Sequence, residues 1–426
     1  MSHTVEILSI GTELLLGNIV NADAQMLSQG LSELGLNVYY HTVVGDNPLR
    51  ARDAVEIAKK RADIIITTGG LGPTCDDLTK NVLAEAFGKK LFFHEESAQR
   101  IRAHFERIGR PFTENNLQQA MLPEGCEVLS NDWGTAPGCA FESDGIHVLM
   151  LPGPPFEMLT MLDRHVLPYL RNLSDETIVS HDILTFGLGE SPMEVFLREK
   201  MSQMENPSLA TYAKPSEVRL RATAKAKSVE EAEAMLSPVV EEVVALLGDV
   251  VYGVDAVGLE NVCVKLLKEK GWTMATAESC TGGRIASRMT GLPGVSSVYR
   301  GGVVSYWTSV KGDVLGVPQE ILDEYGPVSE QTARAMAEGA CRVTGAEIAV
   351  SVTGSAGPDP DERGTPVGIV YIGLATPDGT FCRPLDLGNR RRDRIQDLAT
   401  NHAFDVVRRY LSGLPVETVT RRTSHP

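Results

Sequence analysis

Short apolar runs alternate with helical patterns along the first part of the chain, from about position 5 to about position 170. The strand-like runs VEILSI, VYYHTVV and DIIITT are separated by helical stretches at 21–34, 50–60 and 78–87. Regular alternation of this kind predicts a parallel sheet covered by helices. Ligands in such open α/β sheets bind beyond the carboxyl ends of the strands, so polar residues at those ends are the first candidates for a site.

The chain has 426 residues, which is too long for one ordinary core. Changes of the sequence pattern along the chain favour three domains. Its 42% hydrophobic and 23% charged residues are typical of a globular protein, and no apolar run approaches the roughly 20 residues that cross a bilayer. The amino terminus carries Glu6 and Glu13 and lacks a basic leader followed by an apolar core. We therefore expect a cytoplasmic protein without membrane contact.

Cysteine spacing and net charge exclude further classes. The seven cysteines are odd in number and form no CxxC pair, which argues against a disulfide framework and against a zinc cluster. The formal net charge of −16 makes direct nucleic-acid binding unlikely, because phosphate contacts need a surplus of Lys and Arg on at least one face. One local basic patch is present, in the run LGNRRRDR.

Two polar stretches follow predicted strands in the first half. In TTGGLGPTCDDLTK, at 67–80, Gly69 and Gly70 can bring backbone amides close to a phosphate, and Asp76 and Asp77 lie at a helix start. One carboxylate could simply cap the helix, but two beside a glycine-rich turn favour metal or ribose binding. In SIGTELLLG, Gly11 and Thr12 end the first strand, and Glu13 then points toward the same edge of the sheet.

A third polar turn, TAESCTGG at 276–283, follows a strand-like run in the last third of the chain. A strand delivers Glu278, Ser279, Cys280 and Thr281 to a loop, after which Gly282 and Gly283 open a helix. A helix start with exposed, unpaired amides binds anions, so the turn is predicted to be part of an active site. The alternative is a plain strand-to-helix connection with Thr281 as the helix cap.

Four more motifs follow this turn: VSSVYRGGVVSYWTSVKGDVLGV at 295–317, VSVTGSAGPD at 350–359, TPVGIVYIGLA at 365–375 and LGNRRRDR at 387–394. The five motifs in this order resemble the CinA C-terminal domain, a nicotinamide mononucleotide deamidase family. We place this domain at 258–415. The resemblance implies an α/β domain that hydrolyses nicotinamide mononucleotide to nicotinate mononucleotide and ammonia, with no cofactor.

Deamidation needs a nucleophile, a proton acceptor and donors for the developing oxyanion. The resemblance implies a Ser-Lys pairing, with Ser297 or Ser279 as the nucleophile and Lys311 as its partner. Desolvation could lower the pKa of Lys311, although a lysine at a helix start is more often exposed. Tyr306 could relay or donate a proton, whereas His402, the domain's one histidine, is predicted to be structural.

Other residues of these motifs are expected to bind the substrate. They are Glu278, Thr281, Gly282, Gly283, Thr353, Gly354 and Arg390. Thr353 can hydrogen-bond the amide or the ribose, and the guanidinium of Arg390 matches a monoester phosphate. Two simpler interpretations remain: GSAGPD is turn chemistry, and Arg391, Arg392 and Arg394 form a solvated face.

The first half, taken with GTAPG at 134–138 and LPGPPFEM at 151–158, resembles the molybdopterin-binding (MoaB/MogA-like) domain of CinA proteins. We place it at 1–172. The resemblance implies metal-dependent hydrolysis of ADP-ribose, with Mg, Mn or Co as the divalent metal and a monovalent cation as a further candidate. It assigns Gly11, Thr12, Gly69, Gly70 and Thr79 to the phosphate and nucleotide site, and Glu13, Asp76 and Asp77 to the metal.

The segment 178–254 changes to a compact α+β pattern that resembles the KH-like linker domain of CinA proteins. It lacks a GxxG loop with basic neighbours, so we expect it to join the catalytic ends and form a homodimer rather than bind RNA. The sequence thus predicts a bifunctional pyridine-nucleotide salvage enzyme that acts on nicotinamide mononucleotide and ADP-ribose. The alternatives are a non-catalytic regulatory protein linked to competence or DNA damage, and a molybdopterin-binding protein.

Overall fold

The computed structural model describes residues 3–173, 177–214 and 217–417. Two compact units are distinguished by their internal contacts: Met1–Val179 with Ala224–Glu233, and Ser180–Thr223 with Ala234–Pro426. Among the described residues, no helix is both long and apolar enough to cross a membrane. The boundaries predicted for the three domains are not tested by this division and stay predictions.

Eight strands and seven helices build the described part of the chain up to residue 173. The strands are β1 (Thr4–Ile10), β2 (Asn37–Val44), β3 (Ile64–Thr68), β4 (Leu91–Phe93), β5 (Met121–Pro123), β6 (Glu127–Leu129), β7 (Gly138–Ser143) and β8 (Ile146–Leu151). The helices are α1 (Thr12–Leu15), α2 (Ala22–Glu33), α3 (Pro48–Ala58), α4 (Thr79–Ala86), α5 (Glu95–Ile108), α6 (Pro155–Met161) and α7 (Leu167–Arg171).

Six of these strands form one sheet in the order β2-β1-β3-β8-β7-β6. The first four are parallel, which confirms the predicted parallel sheet, whereas β7 and β6 extend it in the antiparallel sense. β3 is buried along its whole length and β1 along all but its first residue, because helices cover both faces of the sheet. Asn21 and Asn47 cap α2 and α3 through their side chains, which explains where these helices begin.

The middle segment forms an α+β module, as its sequence pattern predicts. Its elements are β9 (Thr177–Phe186), α8 (Glu190–Gln203), β10 (Ser208–Lys214), β11 (Glu217–Ala226), α9 (Val229–Leu247) and β12 (Val251–Val254). The four strands form a separate sheet in the order β10-β11-β9-β12. Leu184 and Phe186 of β9 belong to the same apolar cluster as the core of the last third of the chain, so this module is not packed as an isolated domain.

Five strands and six helices build the last third. The strands are β13 (Met274–Glu278), β14 (Tyr299–Val304), β15 (Ile348–Gly354), β16 (Ile369–Thr376) and β17 (Gly379–Asp386). The helices are α10 (Leu259–Lys270), α11 (Arg284–Thr290), α12 (Thr308–Asp313), α13 (Gln319–Tyr325), α14 (Glu330–Thr344) and α15 (Arg392–Leu411).

The sheet of the last third has the order β14-β13-β15-β16-β17. The first three strands are parallel and the last two antiparallel, so the carboxyl ends of β13, β14 and β15 meet at one edge. His402 lies in α15 with its ring centroid 4.9 Å from that of Phe186. Burial lowers the pKa of His402 to about 4. A neutral, buried imidazole in this position fits the structural role predicted for it.

Candidate functional site

A cavity of about 840 Å³ lies where β13 and β15 end, at the carboxyl edge of the C-terminal sheet. Five of the residues predicted for the deamidase site line it: Ser279, Tyr306, Lys311, Thr353 and Gly354. The parallel arrangement of β13 and β15 explains how motifs that are distant in the chain reach one place.

Ser279 and Lys311 are in direct contact. The Lys311 ammonium donates a hydrogen bond to Ser279 Oγ at 3.0 Å and another to the main-chain oxygen of Ser305 at 2.6 Å. Lys311 lies on the short helix α12, immediately after the loop that follows β14, and Ser279 directly follows β13. The neighbouring strands therefore fix the distance between the Ser279 hydroxyl and the Lys311 amine.

Lys311 is buried, with 1% of its surface exposed, so the alternative of a surface lysine is wrong. Burial lowers the pKa of this amine to about 8, because the charged form is poorly solvated inside the protein. With this pKa, about a tenth of the Lys311 side chains are neutral at pH 7 and about half at pH 8. A neutral amine 3.0 Å from a hydroxyl can accept its proton.

Ser297 is not the partner of Lys311, which corrects one of the two assignments left open by the sequence. Its side chain is exposed, donates to the main-chain oxygen of Gly294 at 3.0 Å, and does not line the cavity. Ser297 ends a 3₁₀ turn before β14, at the opposite end of that strand from Lys311. Strand β14 therefore separates Ser297 from Lys311.

Glu278 has a structural position that its motif did not reveal. Its buried carboxylate accepts hydrogen bonds from the main-chain amides of Gly283, Ile285 and Ala286, at 3.0, 3.1 and 2.8 Å. These amides belong to the start of α11, so the expectation that they are free to bind an anion is wrong. Glu278 instead closes the turn that holds Ser279 in place.

The other turn residues have different environments. Gly282 and Gly283 have φ values of +61° and +95°, a backbone conformation that side-chain-bearing residues rarely adopt, which explains the paired glycines. Thr281 is fully buried, and its hydroxyl has no partner among the described residues. None of these three lines the cavity, so their assignment to substrate binding rests on the resemblance alone.

The arginine that faces the cavity is Arg392 and not Arg390. Arg392 donates to the main-chain oxygen of Gly357 at 2.6 Å and to the Tyr306 hydroxyl at 2.7 Å. Arg390 donates to the main-chain oxygen of Leu387 at 2.7 Å and is not part of the lining. The sequence has four arginines in this run, and the start of α15 at Arg392 determines which of them faces the cavity.

Thr353 and Gly354 end β15 at the cavity. Thr353 is buried and donates to the main-chain oxygen of Pro327 at 2.6 Å, so its hydroxyl already has a protein acceptor. A Cβ at Gly354 would lie 2.7 Å from Val370 and 2.8 Å from the main-chain oxygen of Ile369, which explains why this position is a glycine.

Two side chains that the sequence did not assign to binding also line the cavity. Trp307 is 76% exposed at its rim, and Arg363 adds a second guanidinium. Arg363 donates to the main-chain oxygens of Leu322 and Asp323, which fixes it near α13. Both lie inside or beside the quoted motifs, but no spacing rule distinguishes a cavity residue from an exposed one.

A second cavity, of about 600 Å³, lies at the carboxyl edge of the N-terminal sheet. Its lining includes six of the predicted residues: Gly11, Glu13, Gly69, Gly70, Asp76 and Asp77. Gly69 has a φ of +90°, and a Cβ there would lie 2.2 Å from the main-chain oxygen of Ile10, so only glycine fits.

Thr12 and Thr79 support this cavity without lining it, which corrects their assignment to the nucleotide site. Thr79 is buried and donates to the main-chain oxygen of Gly69 at 2.8 Å. The Thr12 amide and hydroxyl bind Asp46, whose carboxylate accepts at 2.8 Å and whose amide donates at 3.1 Å. Both threonines hold the loops in which the cavity glycines lie.

Glu13, Asp76 and Asp77 do not form a metal centre on their own. In the chain as described, no group of three or more His, Cys, Asp or Glu side chains is placed to hold a metal ion. The Asp77 carboxylate instead accepts from the amide and hydroxyl of Thr74, at 2.8 and 2.6 Å. Glu13 and Asp76 are exposed and remain candidate ligands. A magnesium ion held by one or two carboxylates together with substrate phosphates fits this arrangement.

The chain was compared with protein families and with known proteins. Three family models match it: "CinA C-terminal domain" over 257–411, "Probable molybdopterin binding domain" over 6–172 and "Damage-inducible protein CinA KH domain" over 180–253. Among solved structures, the competence/damage inducible protein CihA from Agrobacterium tumefaciens is 35% identical with a TM-score of 0.35, and the match covers 36% of this chain and 93% of that one.

Two relatives match almost from end to end. A CinA-like protein of Dictyoglomus turgidum is 49% identical over 409 residues, which are 96% of this chain and 99% of that protein. A CinA-like protein of Dictyoglomus thermophilum is 48% identical over the same shares of the two chains. Identity of this level over the whole length means that the three motif-bearing segments occur together in the relatives, and the chain belongs to the CinA family.

Proposed function

We propose that the C-terminal cavity hydrolyses the carboxamide of nicotinamide mononucleotide, and that the N-terminal cavity is a metal-dependent ADP-ribose pyrophosphatase. We place both activities in the cytoplasm, in a homodimer. The observation that carries the deamidase proposal is the buried contact of 3.0 Å between Lys311 and Ser279. A lysine desolvated beside a serine hydroxyl is the arrangement that a Ser-Lys amidohydrolase requires.

In the proposed reaction, neutral Lys311 accepts the proton of Ser279 as Oγ attacks the carboxamide carbon. The tetrahedral intermediate collapses when Lys311 returns that proton to the leaving nitrogen, which departs as ammonia and leaves an acyl-enzyme. Lys311 then takes a proton from water as the water oxygen attacks the acyl carbon, and returns it to Ser279 Oγ when the second tetrahedral intermediate collapses. The carboxylic acid that is released loses its own proton to solvent and becomes the carboxylate. The same amine serves in both halves, so its pKa controls both.

Two other features support a nucleotide amide as the substrate. The amide of Cys280, which directly follows the proposed nucleophile in the cavity lining, is not among those that Glu278 accepts from, so it is a candidate donor for the oxyanion. Arg392 and Arg363 supply two guanidinium groups in the same cavity, which suits a phosphate monoester.

The charge of the N-terminal cavity supports the need for a cation. Six carboxylate side chains are among its described lining residues: Glu13, Asp23, Asp46, Asp76, Asp77 and Glu157. No Lys, Arg or His is among the described residues that line this cavity. A diphosphate placed there would be repelled unless divalent ions neutralised it, so the lining favours a metal-loaded substrate over a bare one.

The deamidase proposal is tested by measuring ammonia release from nicotinamide mononucleotide by the full chain. Ser279→Ala removes the nucleophile, and we expect the rate to fall by at least about 10³-fold. Ser297→Ala is the matched control, since it also removes one serine hydroxyl from the motifs of this domain. It should change the rate by less than about twofold. Full activity of Ser279→Ala, or loss of activity in Ser297→Ala, would overturn the assignment.

The same samples should be assayed for cleavage of ADP-ribose, with and without a chelator. We expect the chelator to stop this cleavage and to leave ammonia release unchanged, because the proposed deamidation transfers its proton between Ser279 and Lys311. Ammonia release that stops with the chelator would contradict the metal-free mechanism. Cleavage of ADP-ribose that persists in the chelator would contradict the proposed role of the cation.

A further inference from the structure

Two cysteines of the N-terminal region lie side by side, and neither has a role in the chemistry proposed above. Cys126 directly precedes β6, and Cys139 is the second residue of β7. In the antiparallel register of these strands Val128 is paired with Cys139, so Cys126 is a diagonal neighbour of Cys139. Both cysteines pack in one apolar cluster, and their thiols are hydrogen-bonded to each other. The fold thus holds two reduced thiols in contact.

The two thiols differ in exposure and in acidity. Cys139 is buried, with 1% of its surface exposed, whereas Cys126 is half-buried and accessible from solvent. The Cys139 thiol donates the hydrogen bond that they share, which lowers the pKa of the Cys126 thiol and raises that of the Cys139 thiol. Cys126 is therefore the residue that forms a thiolate, and Cys139 stays protonated beside it.

A lysine is held next to the more exposed thiol. Lys89 Nζ donates to the main-chain oxygen of Glu124 at 3.3 Å and lies 4.8 Å from the centroid of the Phe141 ring. Glu124 is two residues before Cys126, and Phe141 is two residues after Cys139. The positive charge of Lys89 lowers the pKa of the Cys126 thiol further. An accessible thiol next to a cation and a second thiol is typical of cysteines that react with oxidants.

The position of the pair gives a bond between them a structural consequence. The loop 130–137 joins β6 to β7 and supplies Thr135 and Ala136 to the lining of the N-terminal cavity. The same loop forms one wall of a neighbouring cavity of about 520 Å³, whose other wall is α5. Because Cys126 precedes β6 and Cys139 lies at the start of β7, a bond between them would close this hairpin at its base.

We propose that Cys126 and Cys139 are an oxidation site, at which a peroxide converts the two thiols into a reversible disulfide that closes the hairpin of the N-terminal cavity. The Cys126 thiolate attacks one oxygen of hydrogen peroxide, the O–O bond breaks, and the leaving hydroxide takes up the proton that Cys126 has lost. Cys126 is then a sulfenic acid, oxidised by two electrons.

The second step joins the two sulfur atoms. The Cys139 sulfur attacks the Cys126 sulfur, the S–O bond breaks, and the hydroxide leaves as water with the proton of Cys139. Two thiols and one hydrogen peroxide thus give one disulfide and two waters. A dithiol reductant returns both thiols by exchange with the disulfide.

Closing the bond requires a small movement, and Cys126 is the end that can move. Diagonal neighbours across two strands are farther apart than a disulfide requires, so one of the two cysteines must shift. Cys126 lies in the turn between β5 and β6, where its amide donates to the main-chain oxygen of Pro123 at 3.3 Å. Cys139 is fixed in β7, between β6 and β8. Oxidation therefore draws the start of β6 toward β7.

The test is a thiol titration of the full chain, denatured after brief exposure to hydrogen peroxide. The reduced chain has seven thiols, and we expect two of them to be lost and to return with dithiothreitol. A digest with chymotrypsin, which cuts after Trp133, should leave the peptides of Cys126 and Cys139 joined until they are reduced. An unchanged thiol count, a bond to another cysteine or a bond between two chains would overturn the proposal. None of these measurements depends on the activities proposed above.

Variants assign the roles of the two thiols. Cys139→Ala removes the second thiol, so the sulfenic acid at Cys126 should persist and be trapped by dimedone in at least about tenfold higher yield than in the unsubstituted chain. Cys126→Ser should lose no thiols. Cys75→Ser is the matched control, because Cys75 is exposed and outside the pair, and it should still lose two. Oxidation that persists in Cys126→Ser, or that disappears in Cys75→Ser, would overturn the assignment, and the titration of the unsubstituted chain decides the matter even where Cys139→Ala does not fold.

Discussion

The proposed deamidation should depend on pH because Lys311 is buried. Its pKa is lowered to about 8, so about 9% of the amine is neutral at pH 7, about half at pH 8 and about 91% at pH 9. If the neutral amine is the base, kcat/KM should rise about tenfold between pH 7 and pH 9 and then level off. An ordinary lysine, with a pKa near 10.4, would give a rise of about a hundredfold over the same interval and no plateau.

The measurement is the initial rate of ammonia release at low concentrations of nicotinamide mononucleotide, from about pH 6 to about pH 10. Under these conditions the profile reports the ionisation of the free enzyme. Lys311→Arg keeps the positive charge but cannot lose a proton, so we expect it to be inactive at every pH in the range. The reasoning is refuted by a rate that keeps rising in proportion to hydroxide up to pH 10, or by activity of the arginine variant that recovers at high pH.

Cys280 provides the control for this profile, since it is the titratable group next to the nucleophile. Burial raises the pKa of its thiol to about 12, so it stays protonated throughout the range. Cys280→Ala should therefore leave the inflection near pH 8 in place. A shift of the inflection by more than about one unit in this variant would mean that the thiol, and not Lys311 alone, determines the profile.

Three further changes test other parts of the structure. Glu278→Gln replaces one carboxylate oxygen that accepts from the start of α11, and should lower the free energy of unfolding of the C-terminal region by roughly 2–4 kcal/mol in urea titrations. Burial raises the pKa of Asp23 from 3.8 to about 6, so its protonated form stabilises the fold below about pH 4 and this contribution is lost as the pH rises through about 6. Asp23→Asn should therefore raise the free energy of unfolding at pH 7 by roughly 1–3 kcal/mol and have little effect at pH 4. Thermal denaturation at the two pH values can check this. Gly354→Ala would force its Cβ against Val370 and should cost roughly 1–3 kcal/mol of stability together with much of the proposed deamidase activity. Gly291→Ala is the control, because Gly291 has a φ of −68° and the nearest atoms to an added Cβ would lie 3.4 and 3.5 Å away; a similar loss of activity in this variant would contradict the explanation.

Strand and helix positions could be predicted well where the pattern was regular. The alternation of apolar runs and helical stretches is enforced by burial of both faces of the central strands, so β1, β2 and β3 appear where VEILSI, VYYHTVV and DIIITT predict them. The antiparallel strands β7 and β6 were not predicted, because their pairing depends on long-range contacts that leave no periodic signal.

The site could be predicted at the level of motifs but not of single side chains. Lys311 was predicted to be the partner of the serine if it were buried, and the structure shows that it is buried. The choice between Ser279 and Ser297 could not be made, because it depends on which serine lies at the carboxyl edge of the sheet: Ser279 follows β13 there, whereas Ser297 precedes β14 at the opposite edge. Arg392 was missed for a similar reason. The neighbouring arginines look alike in the sequence, and the residue at which α15 begins determines which guanidinium contacts Tyr306.

The two cavities differ in how much of their chemistry the protein supplies by itself. At the C-terminal cavity, the proposed nucleophile and its proposed base are already in contact, and burial has already lowered the pKa of the amine. At the N-terminal cavity, six carboxylate side chains are among the described lining residues and no Lys, Arg or His is, so the cavity attracts a cation and repels a bare diphosphate. A divalent cation would offset the carboxylates and the phosphates of the substrate together. Ligand and metal should therefore bind this cavity cooperatively, each raising the affinity of the other, whereas the deamidase cavity should bind its substrate independently of any metal.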